Sequence, residues 1–338
     1  MASTEMTQTP LDRPSAHSKG LLRRILGTQE FILALAIILL LVIVGSQNPR
    51  YVATNNLITI LQGNAYIAVA ALGMTMVIIS GNIDISVGSL IGVLAVISGS
   101  IANSTENILL AWIAPLFFGA LVGGVIGFFV AYLKIPSIVV TLGMMSILKG
   151  GLISVTRGAW IDRLPAGYAL SQQRILDIPM PIWFMIVLTI IVALWMRYSQ
   201  FGRSIYAVGG NKEAARLSGF NDRRITFWVF VLNGFFVGIA SVLYATQLST
   251  IQSTVPAGVE LLIITSSVVG GVSILGGVGT VIGSTLAAVL LNAINSSLIF
   301  INISPFWMRA FQGLLILATV LADLVRRKGS LIKFLKGQ

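Results

Sequence analysis

Few ionisable side chains of this 338-residue chain fall within its apolar stretches, and these residues could carry chemistry inside a membrane. They are Asp84, Lys149, Glu260 and Arg309. Intramembrane charges are energetically expensive, so they tend to face a cavity or a partner. The only histidine, His17, lies near the N-terminus, and no carboxylate falls in the middle of an apolar stretch. The pattern therefore argues against a carrier driven by protons.

Asp84 stands in the segment ISGNIDISVGS, and two interpretations of it remain open. Its carboxylate could accept hydrogen bonds from free backbone N–H groups where a helix starts. Alternatively, it could form the polar wall of a substrate route at a broken helix. Glu260 is expected to begin a helix, where a carboxylate suits the positive end of the dipole. Lys149 and Arg309 are expected near the external ends of their spans, where long side chains reach the interface.

The sequence lacks the motifs of catalysis and of nucleotide binding. A phosphate-binding loop contains Gly-Lys followed by Ser or Thr, and no lysine here follows a glycine. The chain also lacks the G-x-S-x-G and H-E-x-x-H motifs and has no cysteine. We therefore expect a conduit that is not itself an enzyme and binds neither a metal nor a cofactor. Any ATP and magnesium would be used by a partner chain.

The composition is that of a membrane protein: 56% of the residues are hydrophobic, 10% are charged, and the mean hydropathy is +0.93. Soluble domains usually carry about 25% charged residues. A signal peptide competes with a retained span for residues 21–47, but that run is long and lacks an A-x-A cleavage site. We predict an all-α polytopic membrane protein of about ten transmembrane helices, at 30–47, 56–80, 84–102, 108–132, 138–155, 181–198, 226–247, 259–278, 280–301 and 306–323.

Charge distribution predicts the orientation. With the N-terminus in the cytoplasm, 16 basic residues fall inside and 4 fall outside, as the positive-inside rule expects. Both termini are then cytoplasmic, and the net charge of +11 reflects orientation rather than nucleic-acid binding. We expect a disordered tail at 1–28, a permease domain at 29–325 and a basic tail at 326–338. The domain contains a cytoplasmic loop at 199–225 and an external loop at 157–180.

One polar helix is predicted in the middle of the chain, within the cytoplasmic loop. Asn211 suits an N-cap, Glu213 suits the first turn, and Gly219 is well placed to end the helix. A helix of about two turns is marginal in water. It could lie as an amphipathic turn on the membrane surface, or it could dock on a cytoplasmic partner through Ala214, Ala215 and Leu217.

Four segments together resemble the permeases of ABC importers of the ribose type. These segments are GRSIYAVGGNKEAARLSGF (202–220), GNIDISVGS (81–89), LKIPSIVVTLGMMSILKGG (133–151) and VVGGVSILGGVGTVIGS (268–284). The external segment GAWIDRLPA (158–166) resembles permeases for autoinducer-2 and for deoxysugars such as rhamnose. The chain departs from the family pattern at Asn82, Met144, Lys149 and Ser284.

The resemblance implies a type II ABC-importer-like assembly in a bacterial inner membrane. Two permeases, identical or sister chains, would form a path, with two ATP-binding subunits beneath and a periplasmic binding protein above. The implied coupling helix comprises Gly210, Asn211, Glu213, Ala214, Ala215, Arg216, Leu217 and Gly219. Candidate path residues are Asn64, Asp84, Ser86, Asn233, Asn292 and Asn295. Candidates for docking the binding protein are Lys149, Trp160, Arg163 and Arg309.

Three functional hypotheses remain. The leading one is an ABC permease for a monosaccharide-like solute. A nucleoside or branched-chain amino-acid permease shares the implied fold. A stand-alone secondary carrier is the alternative from another class, and it predicts uptake that survives loss of any ATPase partner.

Overall fold

The computed structural model describes residues 28–253, 258–304, 306–318 and 321. The expected tails at 1–28 and 326–338 lie almost entirely outside this part. The described helices are α1 (Gln29–Gln47), α2 (Thr54–Gly63), α3 (Ala65–Ile79), α4 (Val87–Thr105), α5 (Ile108–Ala131), α6 (Ser137–Thr156), α7 (Met180–Tyr198), α8 (Gln200–Gly210), α9 (Lys212–Leu217), α10 (Asp222–Ala245), α11 (Val259–Val269), α12 (Val281–Phe300) and α13 (Trp307–Ala318).

Among the described residues, eight apolar helical segments are long enough to cross a membrane, with α2 and α3 together forming one of them, Thr54–Ile79. The prediction of an all-α polytopic protein is confirmed. Short 3-10 turns occur at Pro49–Val52 and Leu170–Gln172. Two short antiparallel strands, β1 (Arg174–Ile175) and β2 (Ile178–Pro179), pair within the loop 157–180 that the sequence predicts to be external.

Two predicted spans are wrong in detail. The segment 259–278 was expected to cross as one helix, but α11 ends at Val269, and the glycine-rich stretch 270–280 turns back instead. Eleven residues extend only about 16 Å, too short for a hydrocarbon core of about 30 Å. The helix predicted from residue 84 begins at Val87, because residues 81–86 form an irregular entry.

Helix α3 lies at the centre of the bundle, and all fifteen of its residues are buried. It packs against α7, α10, α11 and α12. Its burial on all sides explains why it is apolar all round, since a helix with no solvent-facing stripe needs no polar face.

The glycine-spaced face of α5 packs closely on α10, as the small-residue spacing predicts. A side chain at Gly127 would come within 2.9 Å of the Phe227 carbonyl oxygen, and one at Gly238 would come within 2.6 Å of the Pro115 carbonyl oxygen. Gly119 and Gly234 lie against each other's backbone in the same interface. The glycines therefore allow two spans to approach backbone to backbone.

Contacts between connections agree with the predicted alternation of spans. On the predicted external side, Ile161 pairs with Ile251 through two backbone hydrogen bonds of 2.9 Å, and Asn103 donates to the Asp162 carbonyl. On the opposite side, the turn after α3, the end of α8 and the stretch 270–280 contact one another. Connections that are predicted to lie on the same side of the membrane thus contact one another.

Candidate coupling helix and intramembrane polar site

Helix α9 is capped at both ends as the sequence predicts. The Asn211 side-chain oxygen accepts hydrogen bonds from the backbone N–H groups of Glu213 and Ala214, both at 3.0 Å. At the other end, Gly219 takes a positive φ of 86° and donates to the Arg216 carbonyl, and Phe220 donates to the Ala215 carbonyl. These bonds satisfy the free backbone groups that a short helix exposes at its ends.

The orientation of α9 corrects one expectation. Ala214 and Ala215 were both expected to face a partner, but Ala215 is buried against the protein, while Ala214 is exposed. Neighbouring residues on a helix point about 100° apart, so the two alanines cannot share a face. Leu217 is 91% exposed and forms an apolar tip.

A salt bridge that was not predicted from the sequence links α9 to the start of α10. Arg216 donates from Nε to Asp222 Oδ1 at 2.8 Å and from Nη2 to Asp222 Oδ2 at 2.6 Å. This two-point geometry fixes orientation as well as distance, and the hydrogen bond to the carboxylate raises the pKa of the Arg216 guanidinium. The signal for this salt bridge in the sequence was a pair of opposite charges six residues apart. They stand on either side of Gly219, which ends the helix.

Beneath α9, the end of α8 lies against two glycine-rich turns. The backbone N–H of Gly277 donates to the Ile79 carbonyl at 2.8 Å, and a side chain at Gly209 would meet that N–H at 2.8 Å. Gly276 has φ +84°, and a side chain there would come within 3.0 Å of Gly81 Cα. Three of the four family-like segments therefore form one backbone junction at the end of α8, next to the start of α9.

Tyr206 adds a side-chain bond to this junction. Its hydroxyl donates to the Gly279 carbonyl at 2.9 Å, which links α8 to the last residues of the stretch 270–280. Any displacement of α8 would therefore act on the segment that leads into α12.

The predicted path residues Asp84, Ser86 and Asn233 come together, but they face one another. Asp84 Oδ1 accepts from the Ser86 N–H at 2.9 Å and from the Ser86 hydroxyl at 2.6 Å, and Oδ2 accepts from Asn233 Nδ2 at 2.8 Å. All three residues are buried. The N-cap position belongs to Ser86, so Asp84 binds the chain just before the helix rather than capping it.

This cluster lies deep in the bundle. Asn233 is eleven residues past the start of α10 at Asp222, or about 17 Å along the axis. Helix α4 therefore begins inside the membrane layer. Glu260, in the first turn of α11, lies against Gly88 in the first turn of α4. Two helices thus start side by side within the layer, each with a carboxylate near its N-terminus, an arrangement typical of broken helices in transporters.

The other path candidates lie apart from this cluster. Asn64 marks the break between α2 and α3, and Asn292 on α12 donates to the Ile60 carbonyl of α2. Asn295 is half-buried on α12. Asp84, Ser86 and Asn233 thus form one buried trio, Asn64 and Asn292 lie at α2, and the contact of all six path candidates with cargo stays a prediction.

The docking candidates Trp160 and Arg163 are exposed on the loop predicted to be external. Trp112 donates from its indole to the Tyr168 carbonyl at 3.2 Å, which anchors the loop further along. Lys149 is exposed on α6, seven residues before its end, about 10 Å along the axis, so its side chain must extend outward to reach the interface. Arg309 is exposed near the start of α13.

A multi-pass helical bundle with an internal polar site is the architecture of a polytopic membrane protein. The family profile described as "Branched-chain amino acid transport system / permease component" matches residues 56–320. The chain therefore belongs to this permease family and is a multi-pass protein of the bacterial inner membrane.

The curated relatives agree with this assignment. The autoinducer 2 import system permease protein LsrC of Salmonella typhi is 36% identical over 304 residues, covering 90% of this chain and 88% of the relative. The protein of the same name from Escherichia coli (strain K12 / DH10B) is 35% identical over 304 residues, covering 90% and 89%. No solved structure gives a significant match. The resemblance inferred from the four segments is confirmed.

Proposed function

We propose that this permease belongs to an ATP-driven importer and that α9 is the helix through which an ATP-binding subunit acts. One observation carries the proposal: α9 is only six residues long, yet it is capped, bridged to α10 and tipped by an exposed leucine. So short a helix is marginal in water. Because the caps and the salt bridge already order α9, docking on a partner costs less conformational entropy.

Docking at α9 supplies a mechanism for coupling. Ala214 and Leu217 would contact the ATP-binding subunit, and the Arg216–Asp222 bridge would keep α9 and the start of α10 moving together. The backbone contacts of Gly209 would pass the displacement to the end of α3 and to the stretch leading into α12. ATP and magnesium would be bound by the partner, because this chain offers no phosphate-binding loop and is not itself the enzyme.

The proposed cargo is a monosaccharide-like solute of the ribose, rhamnose or autoinducer-2 type. Both relatives described above are named as autoinducer 2 import system permeases, which supports this class. A periplasmic binding protein would deliver the cargo to the external loop around Trp160 and Arg163. Glu260, half-exposed beside the buried Asp84 cluster, would offer a carboxylate to hydroxyl groups in transit. The family description keeps a branched-chain amino acid as the alternative cargo.

A second permease copy or a sister chain would complete the path on the exposed face of α6. Only Thr141 and Leu152 are buried on this helix, although it is long enough to span the membrane. Its exposed face carries the small residues Gly143, Ser146 and Gly150. Small residues let helix backbones approach closely in membranes, which supports a helix partner at this face.

The test of coupling is a pair of variants at one exposed position. Ala214→Glu would place a carboxylate in the docked interface, whereas Ala214→Gln adds nearly the same volume without charge. An unpaired buried charge is strongly destabilising, so we expect Ala214→Glu to abolish uptake in proteoliposomes containing the ATP-binding subunits and the binding protein. Ala214→Gln should keep substantial uptake, and both variants should insert normally. Full uptake by Ala214→Glu would refute the coupling role, and uptake without the ATP-binding subunits would indicate a stand-alone carrier.

A further inference from the structure

A cavity of about 530 Å³ lies at the cytoplasmic end of the bundle, between the end of α7 and the first turns of α10. The turn that joins α9 to α10 lines the cytoplasmic end of this cavity. Besides this turn, the cavity is lined by Trp195, Arg224, Trp228 and Leu232. None of these residues belongs to the intramembrane polar site or to the exposed tip of α9.

The cavity runs from the membrane surface into the apolar layer. Arg224 lies in the first turn of α10, Trp228 six residues after Asp222, and Leu232 ten residues after it. At 1.5 Å per residue, these positions extend to about 15 Å from the start of the helix. This distance covers the headgroup level and the first part of the acyl chains. Trp228 is 45% exposed, so the cavity wall reaches the outer surface of the bundle.

Arg224 is the charged residue of the cavity and lies at its shallow end, with Trp228 one turn deeper on α10. Arg224 is exposed and forms no ion pair with any described residue; the carboxylate of Asp222 is held by Arg216. The indole N–H groups of Trp112 and Trp183 donate to carbonyls, whereas those of Trp195 and Trp228 have no acceptor in the described part of the chain. A cation and two free donors thus stand at the level where tryptophan prefers to lie in membranes.

We propose that this cavity binds an anionic phospholipid of the cytoplasmic leaflet. The phosphate would lie beside Arg224, the indole donors would face its oxygens or the ester groups, and an acyl chain would run between Trp228 and Leu232. Basic pockets between transmembrane helices on the cytoplasmic side suit anionic headgroups. The deeper part of the cavity is apolar and suits an acyl chain, so the cavity favours a lipid over a free phosphate ion. A phosphate ion could bind only at the cytoplasmic end, beside Arg224.

The bound lipid would also touch the coupling machinery. Gly219, Phe220 and Asn221 form the connection between α9 and α10, and all three line the cavity. A lipid seated there would restrain the turn on which the orientation of α9 depends. Lipid binding itself needs no ATP-binding subunit, so its measurement stands independently of the proposed coupling function.

The experiment uses the purified full-length permease and native mass spectrometry, with phosphatidylglycerol, phosphatidylcholine and inorganic phosphate as probes. Arg224→Gln removes the cation, and Arg223→Gln is the matched control because Arg223 lines a different pocket with Lys134. One basic residue near a membrane surface contributes about a fivefold preference for anionic lipid. We expect Arg224→Gln to lower phosphatidylglycerol occupancy about fivefold and Arg223→Gln to leave it unchanged.

A second readout is quenching of tryptophan fluorescence by brominated phosphatidylglycerol. The Trp195→Phe/Trp228→Phe variant should lose most of the quenching, whereas Trp307→Phe, on the external side, should keep it. Equal phosphatidylglycerol occupancy in the Arg223 and Arg224 variants would overturn the proposal. So would equal binding of phosphatidylcholine by the native chain, or full competition by inorganic phosphate.

Discussion

Arg216 and Asp222 form a two-point salt bridge that spans the turn between the short helix α9 and the span α10. The pair is partly exposed, with half of the Arg216 side-chain surface open to solvent. Exposed ion pairs contribute little to stability. The bridge therefore matters for the direction in which α9 points, and its removal should affect transport more than folding.

Replacing Arg216 with Lys should separate the effect of the salt bridge on transport from its effect on folding. Lysine keeps the positive charge but loses the planar fork that matches a carboxylate. We expect several-fold slower ATP-dependent uptake in proteoliposomes and an almost unchanged unfolding temperature. Exchanging the two residues, Arg216→Asp with Asp222→Arg, should restore part of the uptake. Undiminished uptake in both single variants, Arg216→Lys and Asp222→Asn, would show that the bridge is dispensable.

Neighbouring glycines at the end of α8 give a matched pair of alanine substitutions. A side chain at Gly209 would meet the Gly277 N–H at 2.8 Å and press on the Ile79 carbonyl, whereas one at Gly210 would meet nothing within 4 Å. Gly209→Ala should therefore lower thermal stability and uptake. Gly210→Ala should be neutral or slightly stabilising, because alanine favours helix by up to about 1 kcal/mol. Thermal unfolding in detergent measures the first effect, and equal unfolding temperatures for the two variants would contradict the close junction.

The buried Asp84 cluster predicts a stability effect at Asn233. Asn233→Ala would leave Asp84 Oδ2 without its side-chain donor in a buried site. Leaving a buried acceptor unsatisfied costs about 1–3 kcal/mol, so we expect a loss of that size in the free energy of unfolding. Asn295→Ala, at a half-buried position on α12, should change the free energy by at most about 0.5 kcal/mol. Detergent-induced unfolding compares the two, and a native-like Asn233→Ala protein would contradict the bond.

The exposed face of α6 can be tested by crosslinking because the chain has no cysteine. A single cysteine in place of Ser146 should form a disulfide-linked dimer in oxidised membranes if a second permease packs on this face. Phe117→Cys, 66% exposed on α5, is the control on a face expected to meet lipid. Dimers that form only from the α5 position would show that the second permease packs on α5 and not on α6. A sister chain lacking cysteine at the facing position would instead give no homodimer from either site.

Sequence patterns anticipated the features that depend on local chemistry. The caps of α9 at Asn211 and Gly219 follow from the preferences of single residues, so they were predicted correctly. The glycine spacing on α5 and on α10 likewise favours close helix packing, although it does not identify the partner helix. These features need no knowledge of which helices become neighbours.

Features that depend on tertiary contact were not predictable in the same way. Residues 270–278 are apolar enough to read as a continuation of α11, but positive φ values at Gly271, Gly276 and Gly277 turn the chain to meet α8. The burial of Ala215 and the Arg216–Asp222 bridge depend on how α9 packs against the spans. Asn233 appeared as one of several asparagines, and its contact with Asp84 joins residues 149 positions apart.

The most direct test of the account is photocrosslinking from Leu217, the exposed tip of α9. A photoreactive amino acid at this position, in membranes that contain the complete importer, should yield an adduct identified by mass spectrometry as the ATP-binding subunit. The same amino acid at Trp160, on the external loop, should yield none with that subunit. An adduct at Leu217 with lipid alone, under conditions where the ATP-binding subunits support uptake, would contradict the role assigned to α9.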